Sequence, residues 1–206
     1  MEIDYSKIIV AKLNLNIDYN KITKEILKLV NHKKCVSFSY PPDRNSIDQV
    51  TSYSIFLRSN VTQKDYSYRG AKLSKLEEWY WDETIKIPYT KKIINTLPFS
   101  SLGTVRVVMF PAVPCVEHTD WDNQLDTMQT LGLSLIPDTA DVPCQVYIKN
   151  LNKFVDIPGN AMLLNDSTSH KVPAGTRTRI CIRLFGLLDY KILLKYVDNN
   201  YLYMAE

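Results

Sequence analysis

The strongest constraint on this chain is a train of short apolar runs between residues 103 and 186, most of them stopped by proline or glycine. Residues 104–110 end at Pro111, and residues 131–136 end at Pro137. Residues 144–148 and 154–157 flank a polar Asn-Leu-Asn-Lys link, and Pro158-Gly159-Asn160 leads into the short run 161–164. Residues 178–186 form the last strong run. Runs of this length, rich in β-branched residues and bounded by turn formers, read as strands. Many short strands must bury their apolar faces against one another, which a sandwich or barrel achieves. The expected fold class is therefore mainly β (α+β), a barrel or jelly roll.

Helical signals lie outside that train. Ile22, Ile26, Leu29 and Val30 recur at helical spacing behind Asp18 or Asn20 as the cap, which predicts a helix ending near Asn31-His32. Residues 1–15 read as a strand or extended arm, and residues 35–40 and 53–57 as strands. Residues 59–75 read as a polar loop near the mouth of a site. Trp79, Tyr80 and Trp81, set among Glu77, Glu78 and Asp82, read as an amphipathic helix packing its aromatics on the barrel, or else as a lid or a binder of cations. A short helix follows Pro88 over residues 89–97, and a closing helix is expected over 189–196. The 206 residues thus read as a single domain with an N-terminal helical buttress. Its parts are 1–102 with the substrate-side elements, 103–186 as the barrel core, and 187–206 as a closing segment.

Charge and hydropathy exclude several function classes. A net charge of +3 with no Lys/Arg cluster argues against a nucleic-acid surface. No apolar stretch reaches the roughly 18 residues of a membrane span. The first residues lack the basic start and apolar core of a signal peptide. The protein is therefore expected in the cytoplasm, with no membrane partner. There Cys35, Cys115, Cys144 and Cys181, which show no CxxC spacing, are expected to be reduced thiols of core and wall.

The chemistry centres on His118-Thr119-Asp120. The chain has three histidines. His32 stands beside Lys33 and Lys34 and reads as an exposed helix-end residue, which leaves His118 and His170. Strand side chains repeat every two residues, so His118 and Asp120 fall on one side and Glu117 on the other. Two imidazoles and one carboxylate on one face of a metal suit non-haem Fe(II), with open positions for an organic cosubstrate and O2. The His-Glu-x-x-His pattern of many zinc hydrolases is absent from the sequence. Arg177, Arg179 and Arg183 follow His170 and share one face by period two.

Taken in order, several pieces resemble a known family. They are Val107-Val108-Met109-Phe110-Pro111-Ala112, His118-x-Asp120, Leu131-Gly132-Leu133, Pro158-Gly159-Asn160, His170-Lys171-Val172 and Arg179. The set resembles the aspartyl/asparaginyl β-hydroxylase-like group of 2-oxoglutarate/Fe(II)-dependent dioxygenases, which includes free-proline cis-hydroxylases. The resemblance covers residues 103–186. It implies a double-stranded β-helix, with His118, Asp120 and His170 as iron ligands and 2-oxoglutarate chelated at the iron. It also implies that an arginine after the distal histidine grips the far carboxylate of 2-oxoglutarate, through a bidentate bond lysine cannot copy. Family spacing best matches Arg179, with Arg183 second and Arg177 at the mouth, facing substrate. Thr130 is expected to donate to the cosubstrate, whereas Val107 and Met128 stand where relatives carry polar or basic side chains. Trp121 is expected as a wall aromatic or a substrate contact. The implied reaction hydroxylates an unactivated C–H bond of an amino acid, free or peptidyl, and releases succinate and CO2. Two alternatives stay open: a non-catalytic cupin-type binding module, and a zinc or manganese cupin enzyme that does not use 2-oxoglutarate.

Overall fold

The structure is a computed structural model that describes residues 4, 7–40, 50–60, 79–119, 131–137 and 142–206. Its strands in chain order are β1 (Ile8–Leu13), β2 (Val36–Tyr40), β3 (Val50–Asn60), β4 (Trp79–Trp81), β5 (Phe99–Phe110), β6 (Cys115–His118) and β7 (Leu131–Leu135). They continue with β8 (Cys144–Ile148), β9 (Lys153–Ile157), β10 (Ala161–Asn165), β11 (His170–Val172), β12 (Arg179–Leu188) and β13 (Val197–Met204). Among the described residues three α-helices accompany them: α1 (Tyr19–Ile26), α2 (Pro88–Ile94) and α3 (Tyr190–Leu193).

Among the described residues the strands form two sheets. The large one runs β13-β1-β10-β7-β12-β5-β3-β2, with β4 on β3; the small one runs β6-β11-β8-β9. From β5 onward the chain moves repeatedly between the sheets, the winding of a double-stranded β-helix. The expected jelly roll is what the chain adopts.

Alternation in the large sheet decides what faces where. On β5, Val105, Val107 and Met109 join Ile180, Ile182 and Leu184 of β12 in a core that includes Ile22 and Ile26 of α1 and Ile94 of α2. The helices therefore cover the outer face of the large sheet. Its inner face meets the small sheet, where Val10, Met162 and Leu164 pack with Val146, Ile148 and Val172. Both faces of β5 and β12 are thus covered.

The helices are short and depend on packing and caps more than on propensity. Asp18 caps α1 by accepting from Lys21 N at 3.2 Å. Ile22 and Ile26 are fully buried, each contributing on the order of 1.5–3 kcal/mol. The N-terminus of α2 is capped from a distance: Glu25 of α1 accepts from Tyr89 N at 2.9 Å and Thr90 N at 2.7 Å. That carboxylate ties the two helices into one buttress.

Several expectations are corrected. Trp79–Trp81 is a strand, not a helix, and pairs with Arg58, Ser59 and Asn60 of β3. Trp79 is buried and Tyr80 exposed, the alternation of a sheet edge, and aromatics suit that setting. Helix α2 ends at Ile94, short of Leu97. The closing helix is only four residues plus a 3-10 turn, and an unexpected strand, β13, follows and pairs with β1. Strand β3 is longer than expected and runs to Asn60; residues 61–75 of the expected polar loop lie outside the described residues. All four cysteines are free thiols. Among the described residues, no helix is long and apolar enough to cross a membrane.

Candidate active site

The two sheets enclose a cavity of about 820 Å3. Its wall follows from strand alternation. Thr104, Arg106, Val108 and Phe110 face it from β5, and Arg179, Cys181, Arg183 and Phe185 face it from β12. His118, His170 and Val172 face it from the small sheet.

His118 ends β6 and His170 begins β11, and the two are Cα partners in the antiparallel ladder. Their ring centroids lie 4.4 Å apart, tilted by 53°. Each ring is held by the carbonyl two residues earlier. His118 Nδ1 donates to Val116 O at 2.7 Å, and His170 Nδ1 donates to Thr168 O at 2.9 Å. A carbonyl oxygen only accepts, so the proton belongs on Nδ1 in both rings. In the neutral ring each Nε2 then carries the lone pair, the tautomer a metal ligand requires. His118 Nδ1 also lies 3.8 Å from the Cys115 thiol.

Among the described residues, no three His, Cys, Asp or Glu side chains converge as a metal cluster. The third expected ligand, Asp120, lies outside the described residues, as do Trp121, Met128 and Thr130. The donor set that is described, two adjacent imidazoles in the ligand tautomer, fits a non-haem metal. Glu117 points elsewhere, as expected, and accepts from Ser169 Oγ at 2.8 Å. His32 is part-buried, takes a bond from Lys34 N at 3.2 Å and does not line the cavity.

The three arginines separate. Arg179 is the first residue of β12 and only 9% exposed. Its guanidinium stacks 4.8 Å from the Phe110 ring centroid, and among the described residues it forms no ion pair. Arg183 is ion-paired with Asp166, which is fully buried. Arg177 is exposed, precedes β12 and does not line the cavity. Val107 is also displaced from its expected place. It is fully buried in the core beneath the helices, and the cavity-facing neighbours are Arg106 and Val108. Arg106 is the site residue that sequence reasoning missed. Its signal is its position opposite Arg183 in the β5–β12 register.

Register also gives the cavity its direction. Strand β10 ends at Asn165 beside Leu131, the start of β7, and the chain then reaches His170. The histidine pair lies at that end. Arg179 pairs with Phe110, where β5 finishes, and so lies toward the other end. Cys144 stands near Arg179, and burial pushes its thiol up to about 12 despite the pull of that cation. Burial likewise raises the Cys181 thiol. Both thiols stay neutral at ordinary pH, so neither gives Arg179 a counter-charge.

No protein-family model matches the chain, and no curated protein matches it in sequence. Solved structures do match. One is an oxidoreductase of the 2OG-Fe(II) oxygenase family from Burkholderia pseudomallei, with a TM-score of 0.55 and 11% identity over 88% of this chain and 85% of that one. A prolyl hydroxylase from Trichoplax adhaerens, solved with a peptide fragment of the hypoxia inducible factor oxygen degradation domain, has a TM-score of 0.54 and 13% identity over 93% and 87%. The non-heme alpha ketoglutarate dependent epimerase SnoN from nogalamycin biosynthesis has a TM-score of 0.52 and 10% identity over 87% and 76%. At these identities the likeness is one of fold. It supports the wider oxygenase architecture and does not single out the aspartyl/asparaginyl β-hydroxylase-like group.

Proposed function

We propose that the protein is an Fe(II)- and 2-oxoglutarate-dependent oxygenase that hydroxylates an unactivated C–H bond. The observation that carries this reading is one cavity with two complementary ends. At one end stand two imidazoles in the metal-ligand tautomer. At the other stands a buried arginine that has no ion pair among the described residues.

In this reading His118 and His170 hold the metal, with Asp120 as the third ligand. The backbone carbonyls of Val116 and Thr168 orient both rings, so the sites are set before any metal arrives. Arg179 would hold the far carboxylate of 2-oxoglutarate, and the Phe110 ring holds the guanidinium in place. Iron and 2-oxoglutarate, when bound, supply the oxidising chemistry, consuming O2 and releasing succinate and CO2 as the substrate gains a hydroxyl. Val108, Cys181, Met162 and Leu164 give the cavity part of its apolar wall. The resemblance suggests an amino acid substrate, free or peptidyl, and the prolyl hydroxylase solved with a peptide is compatible with either.

The test is anaerobic reconstitution. A weak visible absorption band is expected only when Fe(II) and 2-oxoglutarate are both present. On admitting O2, slow succinate formation is expected, and His118→Ala abolishes it. No succinate at any iron loading sinks the proposal. Metal binding with no dependence on 2-oxoglutarate favours the zinc or manganese cupin reading instead. Binding of neither leaves the non-catalytic module.

A further inference from the structure

The two histidine rings are not held in the same way. His118 bonds to Val116 O, which belongs to β6 itself, so the strand alone places its acceptor. His170 bonds to Thr168 O, which lies before β11 begins. That carbonyl is set by the connection from β10 to β11, residues 166–169, which carries the chain from the large sheet to the small one. Thr168 N donates to Asn165 O at 2.9 Å and closes a β-turn. Asn165 Oδ1 accepts from Ser167 N at 3.1 Å and from Ser167 Oγ at 2.7 Å, the side-chain turn that asparagine favours.

Asp166 is the second residue of this turn. Turns ordinarily run over the surface, yet its side chain is fully buried and ion-paired with Arg183 of β12. Strand β7 lies between β10 and β12, so the pair reaches across a whole strand to tie the turn to the large sheet. Desolvating two charges offsets much of their attraction, so such a pair is poor evidence for stability, and its best-attested use is to fix register. The small sheet fastens the same connection from the other side. Ser169 O accepts from Tyr147 N at 2.9 Å, and Ser169 Oγ donates to Glu117 Oε1 at 2.8 Å. Thr168 sits between these anchors, which keep its carbonyl turned to His170. The bond matters because a neutral imidazole left to water favours the proton on Nε2. A ring in that tautomer has no lone pair on Nε2, the nitrogen left for a metal.

We infer that Asp166 and Arg183 are positioning residues for the distal metal ligand: their ion pair holds the turn 165–168 so that Thr168 O keeps His170 in the tautomer that ligates through Nε2. This rests on the reading of His118 and His170 as metal ligands and deepens it. It gives β12 two tasks, since Arg179 and Arg183 both face the cavity from that strand. One would meet the cosubstrate, and the other sets the ring that would meet the metal.

The test reads the rings in metal-free protein. Long-range proton–nitrogen NMR on protein labelled at the histidine rings, at a pH where they are neutral, reports which nitrogen carries the proton. Wild type is expected to carry it on Nδ1 in both His118 and His170. In Asp166→Ala the His170 proton moves to Nε2 while His118 stays as it was. Calorimetry with Mn(II) should then show a dissociation constant raised about 10- to 100-fold, as when a ligating histidine loses its partner. Asp166→Asn keeps an acceptor for Arg183 without the charge. It is expected to give an intermediate change in both readouts, and it carries the test if Asp166→Ala does not fold. A His170 ring unchanged in Asp166→Ala, or in Asp166→Asn where that variant carries the test, overturns the inference. Loss of the Nδ1 proton in both rings alike marks a general loosening and overturns it too. The expected ring change in a protein whose wild type binds no Mn(II) overturns the metal reading and leaves the positioning role standing.

Discussion

Arg179→Met separates binding from folding, because Arg179 is a buried cation that forms no ion pair among the described residues. It is 9% exposed, stacked on Phe110 at 4.8 Å and flanked by thiols that stay neutral. Removing it leaves a bound carboxylate in that wall without its counter-charge. Truncating one partner of such a buried pair costs about 2–5 kcal/mol. At 1.4 kcal/mol per tenfold, the dissociation constant of 2-oxoglutarate rises about 30- to 4,000-fold. Stability should barely move. The variant loses a cation–π contact of about 1–2 kcal/mol but no longer buries a charge, and methionine keeps the apolar stem. A Tm change below about 4 °C follows for a chain of this size. Arg183→Met gives the opposite signature. It removes a cationic partner of the fully buried Asp166, at about 3–5 kcal/mol, and so lowers Tm by roughly 6–20 °C. Its effect on 2-oxoglutarate is small. The assays are anaerobic calorimetry with Mn(II) in place of iron, and thermal unfolding without ligand. Wild-type 2-oxoglutarate affinity in Arg179→Met would refute the assignment, as would loss of that affinity in Arg183→Met alone.

Three further outcomes concern the scaffold. In Gly186→Ala, the new Cβ meets Ser101 O at 2.3 Å and Gly103 N at 2.9 Å, both backbone atoms; overpacking of about 1–3 kcal/mol lowers Tm by roughly 2–12 °C, and an unchanged melting curve contradicts the close β5–β12 approach. Glu25→Ala removes both caps of α2 and costs about 0.5–2 kcal/mol, read from the urea midpoint, with Glu25→Gln losing less. Cys144 is held near 12 in the folded protein but titrates near 8.5 when unfolded. Between those values the unfolded chain has lost a proton that the folded chain keeps, so this residue makes stability fall as pH rises, by about 1.4 kcal/mol per pH unit. Urea midpoints measured from pH 8 to 10.5 should show a shallower decline in Cys144→Ala; equal slopes count against a buried thiol.

What the sequence disclosed follows from which patterns are local. The helix through Ile22, Ile26 and Leu29 was legible because one face is buried and the other wet. The two histidines were legible because a short strand carries each toward the same interior. The phase of β5 was not. Both faces of that strand are covered, by helices on one side and the small sheet on the other, so residues 107–110 read as a continuous apolar run. Nothing local tells which of Val107 and Val108 faces the cavity, and the misplacement of Val107 concealed Arg106. The partnership of Arg106 with Arg183 is a register fact between strands far apart in sequence. Strand β13 escaped notice because its first half, with Asp198-Asn199-Asn200, is polar and the strand sits at a sheet edge. The grip of Glu25 on α2 joins residues 64 positions apart and leaves no mark in either segment.

The pairing of His118 with His170 across one ladder has a consequence for how the protein matures. Their separation, 170 − 118 = 52 positions, holds β7 and β10 of the large sheet and β8 and β9 of the small one. No single hairpin brings the rings together, since β11 must find β6 across that long loop. A metal held by both rings is therefore an assay of completed folding. It would add stability only to molecules in which β11 has paired with β6, and a chain stalled short of that point has no pair of rings with which to hold a metal.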